Sequence, residues 1–178
     1  MRGKEKEKYW PFFQEKSLKI LILLKEEAKL LYQAEIAKKK TNTTYAHVLK
    51  VLNWLKEMKL VKFSESGRSK FVGLTEIGEE VANELLELIS LLKLAEIDKE
   101  IDIIYDKAIK GKLAEEIDKE DVKTKYLSLK QILSIYFENP NKKISLYARN
   151  LSSRINRILE GVLGYPLISE IPHEESRT

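Results

Sequence analysis

A chain of 178 residues that is 43% hydrophobic and 34% charged is long enough for one compact domain with an accessory region, and its apolar patterning excludes an unfolded chain. It has no cysteine, which excludes disulfides, thiolate metal sites and a cysteine nucleophile. The net charge of +4 hides blocks of opposite sign, since residues 1–74 carry 17 Lys/Arg against 8 Asp/Glu, residues 75–121 carry 6 against 15, and residues 122–165 carry 8 against 2. A basic block beside an acidic one suggests a surface for phosphates next to one that avoids them.

His47 and His173 lie far apart without an acidic neighbour at ligand spacing, so neither a metal nor any other cofactor is expected. The longest apolar run, Ile20 to Leu24, is far too short to span a membrane, and the N-terminus is charged where a signal peptide needs an apolar core. The expectation is a soluble, cytoplasmic protein with no membrane partner. The wealth of Lys, Glu and Ile is the composition of a heat-adapted protein, although an A/T-rich genome biases a sequence the same way.

Residues 1–16 form a charged tail that turns aromatic at Tyr9, Trp10, Phe12 and Phe13, an arm expected to pack on the body or on a partner subunit. Ser17 reads as the cap of a first helix over 17–29, with Leu18, Ile20, Leu21, Ile22 and Leu24 as its apolar face. QAEIAKKK, 33–40, reads as a short second helix with Ala34, Ile36 and Ala37 inward. Thr41 to Thr43 then make a polar turn and cap a third helix over 43–58, and the pair forms a helix-turn-helix unit. On the third helix Tyr45, Val48, Leu52 and Leu55 share a core face, while Thr43, Ala46, His47, Lys50 and Trp54 form the opposite, available stripe.

LVKF and KFVGL bracket the tip SESGRS and predict a hairpin over 60–74, with a six-residue tip longer than a tight turn. Thr75 caps a long helix or pair of helices whose apolar residues, Ile77, Val81, Leu85, Leu88, Leu92 and Ala95, recur every three or four positions. The pattern shifts phase near Ala95 and continues through Ile97, Ile101, Ile104 and Ala108 to Gly111. An acidic connection over 112–121 leads to helices expected at 122–138 and 144–160 around the turn ENPNKK.

Three helices and a hairpin, carried by EIAKKK, TTYAHVLKVLNWLKEMKLV, FSESGRSKF and GLTEIGEEVANEL, resemble the winged helix-turn-helix family, nearest to archaeal and MarR-like transcriptional regulators, over about residues 17–95. Leu60-Val61 and Leu74-Thr75-Glu76-Ile77-Gly78 match that pattern; Lys59 stands where the family usually has glycine. The resemblance implies a winged helix-turn-helix head with a small β-hairpin; with the long helix, taken for dimerisation, and the C-terminal helices read from the pattern, the expected fold is mainly α. The expected organisation is an N-terminal arm (1–16), a DNA-binding head (17–78), a long helix (79–111), a C-terminal helical region (112–165) and a polar tail (166–178).

The same resemblance implies double-stranded DNA as partner, with the third helix in the major groove and the wing on the minor groove or backbone. The residues implied for contact are Lys38, Lys39, Lys40, Thr43, Thr44, His47, Lys50, Lys62, Arg68 and Lys70. Because one recognition helix reads few base pairs, a homodimer is expected through a coiled pairing of Val81, Leu85, Leu88, Leu92, Ala95, Ile101 and Ile104. The same helix could instead pack on the C-terminal helices of its own chain. A plasmid or viral replication or partition factor and a winged-helix protein adaptor are the competing roles. No paired-carboxylate site, phosphate-binding glycine loop or activated nucleophile is present in the pattern, so catalysis is not expected.

Overall fold

In the computed structural model the first helix opens ahead of its expected cap. Residues 10–27, 30–38, 44–66 and 69–164 are described, and they divide into two compact units, Met1–Ile89 and Ser90–Thr178. A 3-10 turn at Trp10–Phe13 leads into α1, Glu15–Glu27. Ser17 is therefore not the cap but a buried residue of the first turn, where its N–H donates to the Gln14 carbonyl at 3.0 Å. The apolar face is as expected, with Ile20, Leu21, Leu23 and Leu24 in the core.

The strand that sequence reading missed is β1, Leu31–Tyr32. It is two residues long, too short to show a period of two, and exists because it pairs antiparallel with a strand forty residues downstream. Its sheet partners are β2, Val61–Ser66, and β3, Ser69–Leu74, in the order β1-β3-β2. Pairing continues from Val61↔Leu74 to Ser66↔Ser69, so only positions 67 and 68 separate the strands. The expected six-residue tip is thus shorter, because its polar serines and Glu65 are ladder residues; alternation on an exposed edge needs no apolar side chains. Tyr32 and Phe71 stack across β1 and β3 at 4.3 Å between ring centroids.

α2, Gln33–Lys38, and α3, Tyr45–Glu57, complete the helix-turn-helix. In α2 the inward residues are Gln33 and Ile36; Ala34, expected inward, is exposed. Thr44 caps α3 in an extended conformation, its hydroxyl accepting from the His47 N–H at 3.4 Å. Val48, Val51, Leu52 and Leu55 are buried, each contributing roughly 1.5–3 kcal/mol. Tyr45 departs from the expected core face: it is 48% exposed and donates from its hydroxyl to Gln33 Oε1 at 3.5 Å.

The C-terminus of α3 explains the odd lysine. Lys59 N–H donates to the Lys56 carbonyl at 2.8 Å and Leu60 N–H to the Leu55 carbonyl at 2.9 Å, a Schellman arrangement that needs a left-handed residue between them. Lys59 supplies it at φ 59°, with a side chain that disfavours this region. We expect Lys59→Gly to stabilise the first unit by about 0.5–1 kcal/mol, the steric relief outweighing glycine's extra chain entropy. Urea unfolding followed by tryptophan fluorescence checks this, because both tryptophans lie in that unit.

α4 is one uninterrupted helix, Glu76–Ala108. Thr75 caps it as expected, its Oγ1 accepting from the Gly78 N–H at 3.0 Å and donating to the Lys59 carbonyl at 2.6 Å. In its opening turns the inward positions are Gly78 and Ala82, while Ile77 is 53% exposed. Lys25 of α1 pairs with Glu79 at 2.5 Å.

In the second unit, the later part of α4 packs with α5, Lys119–Ser134, and α6, Lys142–Leu163. Leu94, Ile97, Ile101 and Ile104 of α4 join Val122, Tyr126 and Leu133 of α5 and Ile144, Ala148, Leu151, Ile155 and Leu159 of α6 in one core. Asp118 caps α5, accepting from Asp121 N–H at 3.0 Å, and Asn141 caps α6, accepting from Lys143 N–H at 3.0 Å. Gly164 closes α6 in the left-handed region at φ 78°.

Candidate nucleic-acid interface

The capping hydroxyl of Thr44 and the solvent side of α3 define the surface that sequence reading singled out. Ala46, Leu49, Lys50, Asn53, Trp54 and Glu57 line a shallow groove of about 510 Å³ along the helix. Lys50 is exposed in it and has no ion-pair partner among the described residues. Trp54 is half-buried against the core and lies 6.5 Å from Phe12, so the aromatic arm does dock on the body through Phe12. Phe13, in contrast, is 65% exposed.

His47 is half-buried, and its Nε2 is enclosed without a hydrogen-bond partner among the described residues. That ring nitrogen is therefore less accessible than a residue on the helix's outer stripe was expected to be. Lys38, at the end of α2, and Lys62, on β2, are exposed and without an acidic partner among the described residues. Lys70 on β3 is exposed but faces Glu65 across the ladder at 3.6 Å, a surface pair that partly offsets its charge. Lys56 lies over the Phe63 ring at 5.0 Å and braces α3 against β2. Lys39, Lys40, Thr43 and Arg68 lie outside the described residues.

The apolar stripe expected for dimerisation divides into three groups. Val81 and Leu85 pack at the margin of the first unit's core, and Ile101 and Ile104 are buried in the second unit's core. Ile101 and Ile104 are thus spent within the chain, because α5 and α6 cover them. Leu88 and Leu92, at 53% and 57% exposed, remain open with Ala95, and Leu91 joins them on the same helix.

The basic C-terminal region also divides. Arg154 donates from Nη1 to Asp98 Oδ1 at 2.6 Å and from Nη2 to Asp102, which holds it to α4; its pKa is raised chiefly by the Asp102 hydrogen bond. Tyr147 donates to the same Asp98 at 3.0 Å, and burial raises its pKa. Arg149 bonds the Phe137 carbonyl at 3.1 Å, pairs with Glu138 and lies over the Phe137 ring. Two cations of this basic block therefore neutralise acids of their own unit. Their partners sit 11 to 56 positions away, beyond any local pattern.

The class these features define is a winged helix-turn-helix fold, mainly α with a small three-stranded antiparallel sheet, followed by a long helix and two C-terminal helices. No protein-family model matches the chain. No curated protein is significantly similar to it. Among solved structures it is similar to AF1382 of Archaeoglobus fulgidus, 29% identical with a TM-score of 0.43, over 45% of this chain and 90% of that one. It is also similar to a mutant of Lactococcus lactis ZitR in apo form, 27% identical with a TM-score of 0.41, over 65% of this chain and 78% of that one. The adhesin competence repressor AdcR of Streptococcus pyogenes is 19% identical with a TM-score of 0.39, over 65% and 78%. At these TM-scores the likenesses are partial, and neither the fold nor the role rests on them. Among the described residues no three His, Cys, Asp or Glu side chains gather as a metal site, and no helix is long and apolar enough to cross a membrane.

Proposed function

We propose that the chain binds double-stranded DNA as a homodimeric transcriptional regulator, with α3 in the major groove and the β2–β3 wing on the minor groove or backbone. The single observation that carries this reading is that α3 keeps Thr44 and Lys50 exposed on one head with Lys38 and Lys62, and none of these lysines has an acidic partner among the described residues. Solvated lysines without carboxylates suit phosphate oxygens, and a capped helix start suits base edges. Arg68, between the last paired residues of the wing, is assigned to the minor groove. The homodimer is assigned to the open residues Leu88, Leu92 and Ala95, since solvent-exposed leucines one turn apart on a helix favour a partner helix. This reading also takes the protein to work in the cytoplasm, without a membrane.

Selection of bound sites from random duplexes, followed by binding titrations across salt, tests the proposal. A two-fold symmetric site is expected, with the logarithm of affinity falling steeply against the logarithm of salt. Lys50→Ala and Arg68→Ala are each expected to weaken binding about tenfold and to lower the salt slope by about one, whereas Lys110→Ala, at a lysine paired with Asp106, leaves both unchanged. Unchanged DNA retention in the Lys50→Ala, Arg68→Ala double variant would remove the assigned face.

A further inference from the structure

The second unit contains a groove of about 620 Å³ lined by Tyr105 and Ile109 of α4 and its end, Ala114 and Ile117 of the connection, and Arg154, Arg157, Ile158, Gly161 and Val162 of α6. That volume falls in the range of small-molecule sites, which are mainly apolar with a few polar groups. Its lining has the same character: three isoleucines, a valine and an alanine beside one tyrosine and two arginines. No carboxylate lines it among the described residues, and since Arg154 is already paired with Asp98 and Asp102, Arg157 supplies the uncompensated positive charge of the lining.

The two arginines differ. Arg154 is committed to Asp98 and Asp102, whereas Arg157 is exposed and has no ion-pair partner among the described residues. The Tyr105 hydroxyl likewise has no hydrogen-bond partner among them.

Gly161 is the second observation. It stands within α6, one turn beyond Arg157, where glycine weakens a helix by about 1 kcal/mol relative to alanine. Its φ is not in the left-handed region, and a Cβ placed on it would meet nothing within 4 Å. Backbone strain and crowding therefore give no reason for glycine here. Gly161 lines the groove, so a longer side chain there would take up space in it.

We propose that this groove binds an aliphatic monocarboxylate, with its carboxylate on Arg157 and the Tyr105 hydroxyl and its hydrocarbon body on Ile109, Ile117, Ile158 and Val162. A free guanidinium selects the anion, since a hydrogen bond to a charged group outweighs a neutral one. The apolar walls select the body.

Calorimetric titration of the full chain with decanoate and with decanol tests this. Saturable binding of one decanoate per chain is expected, at least tenfold tighter than decanol. Arg157→Gln is expected to abolish that preference while leaving decanol binding unchanged. Gly161→Leu, which fills the groove without meeting a neighbour at Cβ, is expected to abolish binding of both probes while helix content and thermal midpoint by circular dichroism are retained. Absent saturation, equal affinity for the two probes, or binding that persists in a folded Gly161→Leu variant would each overturn the assignment.

Discussion

Replacing Gly78 with alanine is expected to destabilise the first unit by about 3 kcal/mol or more. A Cβ at position 78 would lie 1.9 Å from the Leu60 carbonyl oxygen and 2.9 Å from its carbon. Neither atom can retreat, because that oxygen already accepts the Thr75 N–H at 3.1 Å, and the Thr75 hydroxyl is bonded beside it. The start of α4 and the chain just past α3 are held together by the Thr75 N–H and hydroxyl, so an added methyl group must part them and break these bonds together. Urea unfolding followed by tryptophan fluorescence reads the loss, and Gly161→Ala in the second unit, followed by circular dichroism, is the contrast, expected to stabilise slightly because it adds helix propensity in open space. Equal and small effects at both positions would mean that the α3–α4 junction is looser than its hydrogen bonds imply. The same junction sets the base of the wing, so the loss is expected to weaken the proposed DNA binding as well.

Alkaline pH is expected to destabilise the second unit through one phenol. Tyr126 is fully buried and donates to the Ile101 carbonyl at 3.1 Å. Burial pushes its pKa from 10.0 up to about 12, with Arg154 opposing and Asp102 adding to the rise. The folded pKa lies above the unfolded one, so the contribution is fully present below about pH 10 and is lost as pH rises to about 12. Over that window the unfolded chain gives up the proton while the folded chain keeps it. The difference corresponds to about 2–3 kcal/mol. Tyr126→Phe is expected to cost about 1 kcal/mol at pH 8 for the lost hydrogen bond and to flatten the alkaline decline relative to the parent. Urea unfolding by circular dichroism at pH 8 and pH 11.5 on both proteins measures this; parallel declines would show that other groups dominate.

Much of the head was legible from local pattern. The order of helices and strands, the core face of α3 through Val48, Leu52 and Leu55, and the Thr75 cap all follow from periodicity and capping chemistry, which act over a few residues. Lys59 stood out in the sequence only as a departure from the glycine usual in the family it resembles, and the structure holds it in the left-handed region at φ 59°. The exposure of Lys38, Lys50 and Lys62 was legible for the same local reason, that lysine on an outward helix or edge position stays in water.

What failed was whatever depends on residues far apart in the chain. β1 exists only because β3 is there to pair with it. Tyr45 lies in phase with the α3 core, yet it is 48% exposed and its hydroxyl donates to Gln33 on α2. The residues of α4 share one heptad-like rhythm, and periodicity alone cannot say which bundle each apolar residue will meet. Ile101 and Ile104 went to α5 and α6, while Leu88 and Leu92 were left open. Arg149 and Arg154 belong to a block that counts as basic in sequence, and folding placed Glu138, Asp98 and Asp102 against them.

The sequence by itself determined most of the helices, the wing hairpin, the Thr75 cap and the segregation of charge, because turn geometry and hydrophobic period are properties of short stretches. Only the tertiary structure decided which carbonyl Gly78 must clear, which arginine of α6 remains unpaired and which leucines of α4 stay uncovered. Those outcomes depend on steric and electrostatic contacts between segments tens of residues apart, and no local regularity encodes them.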